Sequence, residues 1–253
     1  MSAIHRTALL ALSLSGAALA PLAATAQTVT FLTEENPPFN HTAGGKVVGL
    51  STDTVAEMAK RAGLTASFQS IVWDTAYKRA QAEKNTCVYS TVQLENRKRL
   101  FHWIGPIASN RWVLVARADF NATLKSDADV RKYKVGAVKT DAKAEFLRSR
   151  AITNIVESDT EAQIPAKFAL PKDDPQRIDL WVAGLHSWKT IADQAKVPNL
   201  KVVHEVGAQP FYLACSPQSD DALLKKLDGA LESMRKDGTW GKRMAEAEQK
   251  AGR

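Results

Sequence analysis

Cysteine is scarce in this chain: two residues, Cys87 and Cys215, in 253. Two thiols cannot build a disulfide scaffold or a thiolate metal cluster. His41, His102, His186 and His204 show neither the i,i+4 spacing nor the Cys-x-x-Cys company of a metal site. No metal and no cofactor is expected. A serine-hydrolase elbow, a zinc-protease helix motif and a phosphate-binding glycine loop are all missing. The formal charge is +7, yet no block of five or six like charges occurs, so nucleic acid is not the expected partner. Small anions or an anionic surface suit a basic protein better.

Long apolar runs are also rare. The one that stands out follows Arg6, from Ala8 to about Ala23, and closes on Ala24-Thr25-Ala26. A short basic start, an apolar stretch and a small-x-small end make a secretory signal, with cleavage expected after Ala26. A membrane anchor is the alternative. The run is Ala/Ser-rich, and no basic stop-transfer flank follows it. Export leaves 227 residues, Gln27 to Arg253, with a formal charge of +6 once Arg6 is gone. That length supports one large domain or two small ones. In an oxidising compartment the two cysteines are able to form a single disulfide.

What is present reads as alternating strands and helices. Thr28–Thr33 is β-rich and stops at Pro37-Pro38. Asp53 is a candidate N-cap for a helix ending at Gly63, Thr65–Val72 alternates as a strand, and Asp74 is a candidate cap for the next helix. Cys87 opens a buried strand, and Gly105-Pro106 marks a turn. A second set follows: strands at Tyr133–Val138, Asn154–Val156, Ile178–Ala183 and Lys201–Val206, with helices capped by Asp141 and Ser187 and a weak helix at Thr160–Ala169. Between the sets lie Trp112–Ala116 and, mirroring it, Phe211–Cys215. Two such strands suggest a two-lobed body joined by two crossings. A long helix follows from Ser219 or Asp220, with Leu223, Leu224, Leu227, Leu231 and Met234 on one face. The order is that of an α/β fold.

The segment Ser90–Ile107, STVQLENRKRLFHWIGPI, carries the most suggestive chemistry. An Arg fork grips a carboxylate through two hydrogen bonds, and strand-end hydroxyls complete the shell. Arg97, Ser90 and Thr91 can make such a site. The bland alternative is a solvated basic triplet, Arg97-Lys98-Arg99.

Four stretches in order, TEENPPFN, GLSTDTVAEMAKRAG, IGPI after the Arg-bearing loop, and MRKDGTWGKRM, resemble bacterial family 3 extracellular solute-binding proteins, the group that includes the substrate-binding components of polar amino acid-type ABC importers. The resemblance spans the exported chain. It implies a two-lobed periplasmic-binding-protein fold (type II, Venus-flytrap) with two hinge crossings: one lobe at 27–110 plus 209–253, the other at 111–208. It implies a non-enzymatic, monomeric periplasmic receptor, binding a small anionic or zwitterionic carboxylate-bearing solute and delivering it to an inner-membrane ABC permease. Arg97 matches the family's carboxylate-binding Arg. Ser90 and Thr91 would join it from the first lobe, and Lys139 and Thr140 from a helix start in the second. Trp73, Glu35, Asn36 and His186 fall on loops facing the cleft. The resemblance also sets Cys87 and Cys215 on neighbouring antiparallel strands, so a disulfide is implied.

The chain departs from the family pattern at Ser51, Leu94, Asn36 and Thr140-Asp141. The acid that usually holds the ligand ammonium falls on Gly184, and Glu35 is the candidate replacement. Two alternatives use the same fold. One is a periplasmic enzyme resembling cyclohexadienyl dehydratase, with Glu35, Lys139 and His186 as acid–base candidates. The other is an accessory protein of a periplasmic redox enzyme.

Overall fold

The computed structural model describes residues 27–251. The signal expected at Met1–Ala26 lies outside the described residues. The first group of elements is β1 (Thr28–Thr33), a small hairpin β2 (His41–Ala43) and β3 (Lys46–Val48), α1 (Leu50–Arg61), β4 (Thr65–Ser70), α2 (Trp73–Ala82) and β5 (Thr86–Thr91). The long strand β6 (His102–Arg117) leads to α3 (Asp127–Val130), β7 (Val135–Val138), α4 (Ala142–Ser149), β8 (Ile155–Ser158), β9 (Leu180–Gly184) and α5 (Trp188–Gln194). A second long strand, β10 (Leu200–Cys215), returns to α6 (Asp221–Lys236) and α7 (Thr239–Ala251).

All strands but the hairpin join one eight-stranded sheet in the order β4-β1-β5-β10-β6-β9-β7-β8. Parallel β4-β1-β5 forms one end, parallel β9-β7-β8 the other, and the antiparallel β6–β10 ribbon runs through the middle of both. This is the two-lobed α/β architecture, with both crossings made by the ribbon.

Helical periodicity explains the packing. In α6, Leu223, Leu224, Leu227, Leu231 and Met234 are buried against the first half of the sheet, whose core also holds Phe31, Val55, Met58 and Tyr89. A separate cluster, with Leu114, Val135, Leu147 and Leu180, fills the second half. A third core runs from Leu32 and Trp73 through Val113 to Trp181 and ties the two together.

Several local expectations change. Trp112–Ala116 and Phe211–Cys215 are not short strands but segments of sixteen-residue strands. Gly105-Pro106 lies inside β6 rather than in a turn. Its glycine is needed for close approach, since a Cβ there would sit 2.6 Å from the Tyr212 ring on the neighbouring strand. The weak helix at Thr160–Ala169 is two 3₁₀ turns, Glu161–Gln163 and Pro165–Ala169, because Pro165 cannot donate within a continuous helix. Helix α1 starts at Leu50, so Asp53 sits in its first turn instead of capping it, and Asp74 does the same in α2. Asp141 does cap α4, accepting the Lys143 N–H. Cys87 and Cys215 are paired residues of β5 and β10 and are joined by a disulfide.

Candidate functional site

The carboxyl ends of β1, β5 and β7 converge between the two halves of the sheet. Ligands of open α/β sheets bind at such edges. A cavity of about 20 Å³ sits there, room for one water. Glu34, Asn36, Trp73, Ser90 and Arg97 line it from one side. Asp141, Ala142 and Lys143, at the start of α4, line it from the other, and Trp112 and Phe211 of the ribbon also border it. A second cavity of about 520 Å³ adjoins it, sharing Glu34 and Trp73. Its walls are largely apolar, with Pro37, Ile71, Val72 and Ile191. Its acidic side chains are Glu34, Glu35 and Glu161, and it has no Lys or Arg.

Arg97 is 1% exposed and points across the cleft. Its Nε donates to Glu145 Oε2 (3.0 Å), and its Nη2 donates to Glu145 Oε1 (2.5 Å) and to the Thr140 carbonyl (2.7 Å). Its Nη1 is buried and has no hydrogen-bond partner among the described residues, and the guanidinium lies 4.9 Å over the Tyr77 ring. Trp73 Nε1 donates to the same Thr140 carbonyl at 3.2 Å. Ser90 at the end of β5 and Thr140 after β7 both hold φ near +58°, a backbone state disfavoured for side chains with a Cβ.

Behind Arg97 lies a buried charge cluster. Lys143 Nζ is 2.9 Å from Asp141 Oδ2 and 3.6 Å from Glu161 Oε2. Burial alone would lower the Lys143 pKa. The carboxylates of Asp141, Glu161 and Glu34 outweigh it and push the pKa above the ordinary lysine range. The opposite holds for two acids. Burial, with help from neighbouring carboxylates, raises the pKa of Glu34 and of Glu161. Glu161 Oε1 completes no hydrogen bond among the described residues, although the Trp181 indole lies close enough to favour its charged form. Four carboxylates, Glu34, Asp141, Glu145 and Glu161, thus surround two cations, Arg97 and Lys143.

The remaining expected residues scatter. Ser90 borders the small cavity, its hydroxyl donating to Asn40 Oδ1 at 2.6 Å. Thr91 is buried and donates to the Val88 carbonyl. Asn36 lines the small cavity. Glu35 lines the large one, but its carboxylate is held by Ser70 and by the Thr42 hydroxyl and N–H, which lower its pKa against the effect of burial. Lys139 is exposed on a separate groove with Glu157 and Asp159. Thr140 contributes its carbonyl to Arg97 and its hydroxyl to Asp74 (3.2 Å). His186 lies tilted against Phe39, the ring centroids 6.3 Å apart, and lines neither cleft cavity; burial, then the Arg111 charge, lower its pKa. Gly184 has no room for an acid: a Cβ would lie 2.7 Å from both Asn110 Nδ2 and Ser187 Oγ.

Glu34, Lys143, Glu145 and Glu161 escaped the sequence reading. Glu34 stands beside Glu35 with nothing local to tell the two apart, and nothing in the spacing of Lys143 and Glu145 on their helix marks them as cleft residues. Glu161 has a usable signal, the capping box Thr160-x-x-Gln163, which fixes a turn at the cleft.

The model of bacterial extracellular solute-binding proteins, family 3, matches residues 29–246. The chain belongs to that family. This solute-binding protein is 25% identical over 201 residues to the L-cystine-binding protein TcyA of Bacillus subtilis, covering 78% of this chain and 71% of TcyA. An ancestral arginine-binding protein bound to arginine is similar in structure, with TM-score 0.70 and 25% identity over 85% of this chain and 96% of that one. A histidine kinase sensor domain shares the fold at TM-score 0.75 and 20% identity, over 87% of this chain and 96% of that one. Among the described residues of the solute-binding protein, no helix is long and apolar enough to cross a membrane.

Proposed function

We propose that this chain is a periplasmic receptor for a zwitterionic, amino-acid-type solute, which it carries to an ABC permease without transforming it. The lobes divide at 110/111 and 208/209. Asn110 pairs with Gln209 and Arg111 with Ala208 across the ribbon, so the two cuts fall side by side. The observation that carries the reading is the pairing of opposites at the small cavity. The unpartnered Nη1 of Arg97 is suited to a carboxylate. The buried carboxyls of Glu34, on that cavity, and Glu161, on the adjoining large one, resist ionisation because burial penalises their charge, and an ammonium or guanidinium group beside them would offset that penalty. They stand in for the acid that position 184 cannot hold. Both cations are already paired, Arg97 with Glu145 and Lys143 with Asp141, which disfavours a purely anionic solute, and the 520 Å³ cavity is large enough for a long side chain. The arginine- and cystine-binding relatives are consistent with such a solute.

A thermal-shift screen against the L-amino acids, cystine and simple dicarboxylates tests this. An amino acid with a long or cationic side chain should stabilise the protein, while succinate and malate should not. Stabilisation by dicarboxylates alone would overturn the reading. The raised Glu34 and Glu161 are also what a general acid requires, which is the observation that favours an enzyme on this fold. Recovery of the bound amino acid unchanged, checked by NMR after incubation, supports the receptor, and its consumption supports the enzyme.

A further inference from the structure

Both anion receptors of the cleft are occupied by the protein's own carboxylates. The Arg97 fork is filled by Glu145, from the first turn of α4, and Asn96 Nδ2 adds a third hydrogen bond to Glu145 Oε2 at 3.1 Å. The N-terminus of α4 and the Lys143 ammonium are filled by Asp141, at 2.6 Å from the Lys143 N–H and 2.9 Å from Nζ. Arg97 and Glu145 come from opposite halves of the sheet, 48 residues apart. Their geometry is the two-point, charge-assisted contact by which an Arg grips a carboxylate ligand. Arg97 is buried, whereas the Glu145 side chain keeps 23% exposure and so has a path back to water.

We infer that Glu145 is an internal competitor for the solute carboxylate, which latches the cleft shut around Arg97 when no solute is present and so sets the affinity of the receptor. This deepens the receptor reading and rests on it for the effect on affinity. The effect on closure does not need a solute.

The physical case is an exchange. An arriving carboxylate finds only the two N–H bonds of Nη1 free on Arg97, and to gain the two-point contact on the Nε–Nη2 edge it must displace Glu145. Only an opened cleft admits it. The apparent dissociation constant therefore rises in inverse proportion to the fraction of molecules that the latch leaves open. The Thr140 carbonyl, shared by Arg97 Nη2 and Trp73 Nε1, holds the same segment of the second half and makes the closed state a defined arrangement.

Small-angle scattering of the exported chain without solute reads the latch directly. The wild type should be compact, and Glu145→Gln, which keeps the shape but loses the charge, should show a larger radius of gyration. Equal radii for the two proteins would overturn the inference. Glu145→Ala separates charge from packing. Added propionate, a free carboxylate of the right size for the vacated fork, should restore compactness in that variant. An opened Glu145→Ala that does not respond would show that packing alone had been lost, and would also overturn it. With any amino acid found by the thermal screen, Glu145→Gln should bind tighter, by on the order of tenfold; weaker binding refutes competition. If no amino acid binds either protein, the receptor reading fails on that result, while the scattering comparison still decides the latch.

Discussion

Glu161 is 3% exposed, faces Lys143 at 3.6 Å, and leaves Oε1 without a completed hydrogen bond among the described residues. Its pKa is raised chiefly because burial penalises the charged form, against which Lys143 pulls the other way. The direction fixes the sign of its linkage to stability. A carboxyl with a raised folded-state pKa favours folding below its unfolded pKa, where both states are protonated, and loses that contribution as pH rises through the folded value. Glu161→Gln abolishes the loss. The variant should match the wild type in urea unfolding at about pH 4 and exceed it by on the order of 1 kcal/mol at about pH 7, the scale of an incompletely paired buried polar group. A wild type more stable than the variant at neutral pH would mean that the Lys143 pair outweighs burial. Gly184 shows the same economy at one residue. A Cβ there would lie 2.7 Å from Asn110 Nδ2 and Ser187 Oγ, so an acid does not fit without moving both, and the buried acids that border the cleft cavities are Glu34 and Glu161 instead.

Elements were easier to read from sequence than side chains. The β-rich run Thr28–Thr33, the Asp141 cap and the leucine face of α6 each rest on local chemistry, and each occurs where that chemistry places it. The ribbon was harder. Gly105-Pro106 signals a turn locally, but pairing with the strand that carries Tyr212 overrides the signal, so β6 runs through it. Two cysteines in an exported chain allow a single disulfide, but their place on neighbouring strands was legible only through the resemblance, because nothing local says that β10 returns beside β5. Their disulfide fastens the end of the ribbon to the first half of the sheet and closes a loop of 128 residues. In the chain-entropy picture such a loop is worth about 3–5 kcal/mol. The double variant Cys87→Ser/Cys215→Ser should lose about that much in urea unfolding and still give a folded circular dichroism spectrum, since both sites stay buried among apolar neighbours. A loss below about 1 kcal/mol would show that the unfolded chain is already constrained there.

At the scale of the whole molecule, the two halves meet through few polar contacts, and Arg97 makes three of them. That was invisible in the sequence. An Arg in a basic triplet announces neither its burial nor a partner 48 residues away. On the proposed receptor reading, Arg97 is the residue through which solute binding and closure are coupled. A solute that binds only the folded state stabilises it by RT ln(1 + [L]/Kd), about 2.7 kcal/mol at a hundredfold excess over Kd. For a chain of this size that is a rise of roughly 5–10 °C in Tm. Arg97→Ala removes the carboxylate grip and leaves Glu145 at the cleft edge, where water can solvate it, so the variant should fold. Loss of a buried charged hydrogen-bond partner costs binding about 2–5 kcal/mol, or some thirtyfold to several thousandfold in Kd. At the same solute concentration, Arg97→Ala should therefore keep at most about a third of the wild-type rise in Tm. A variant that keeps the full rise would show that the solute is held elsewhere in the cleft, with the Glu34 and Glu161 carboxyls as its main anchors and Arg97 serving only to join the halves.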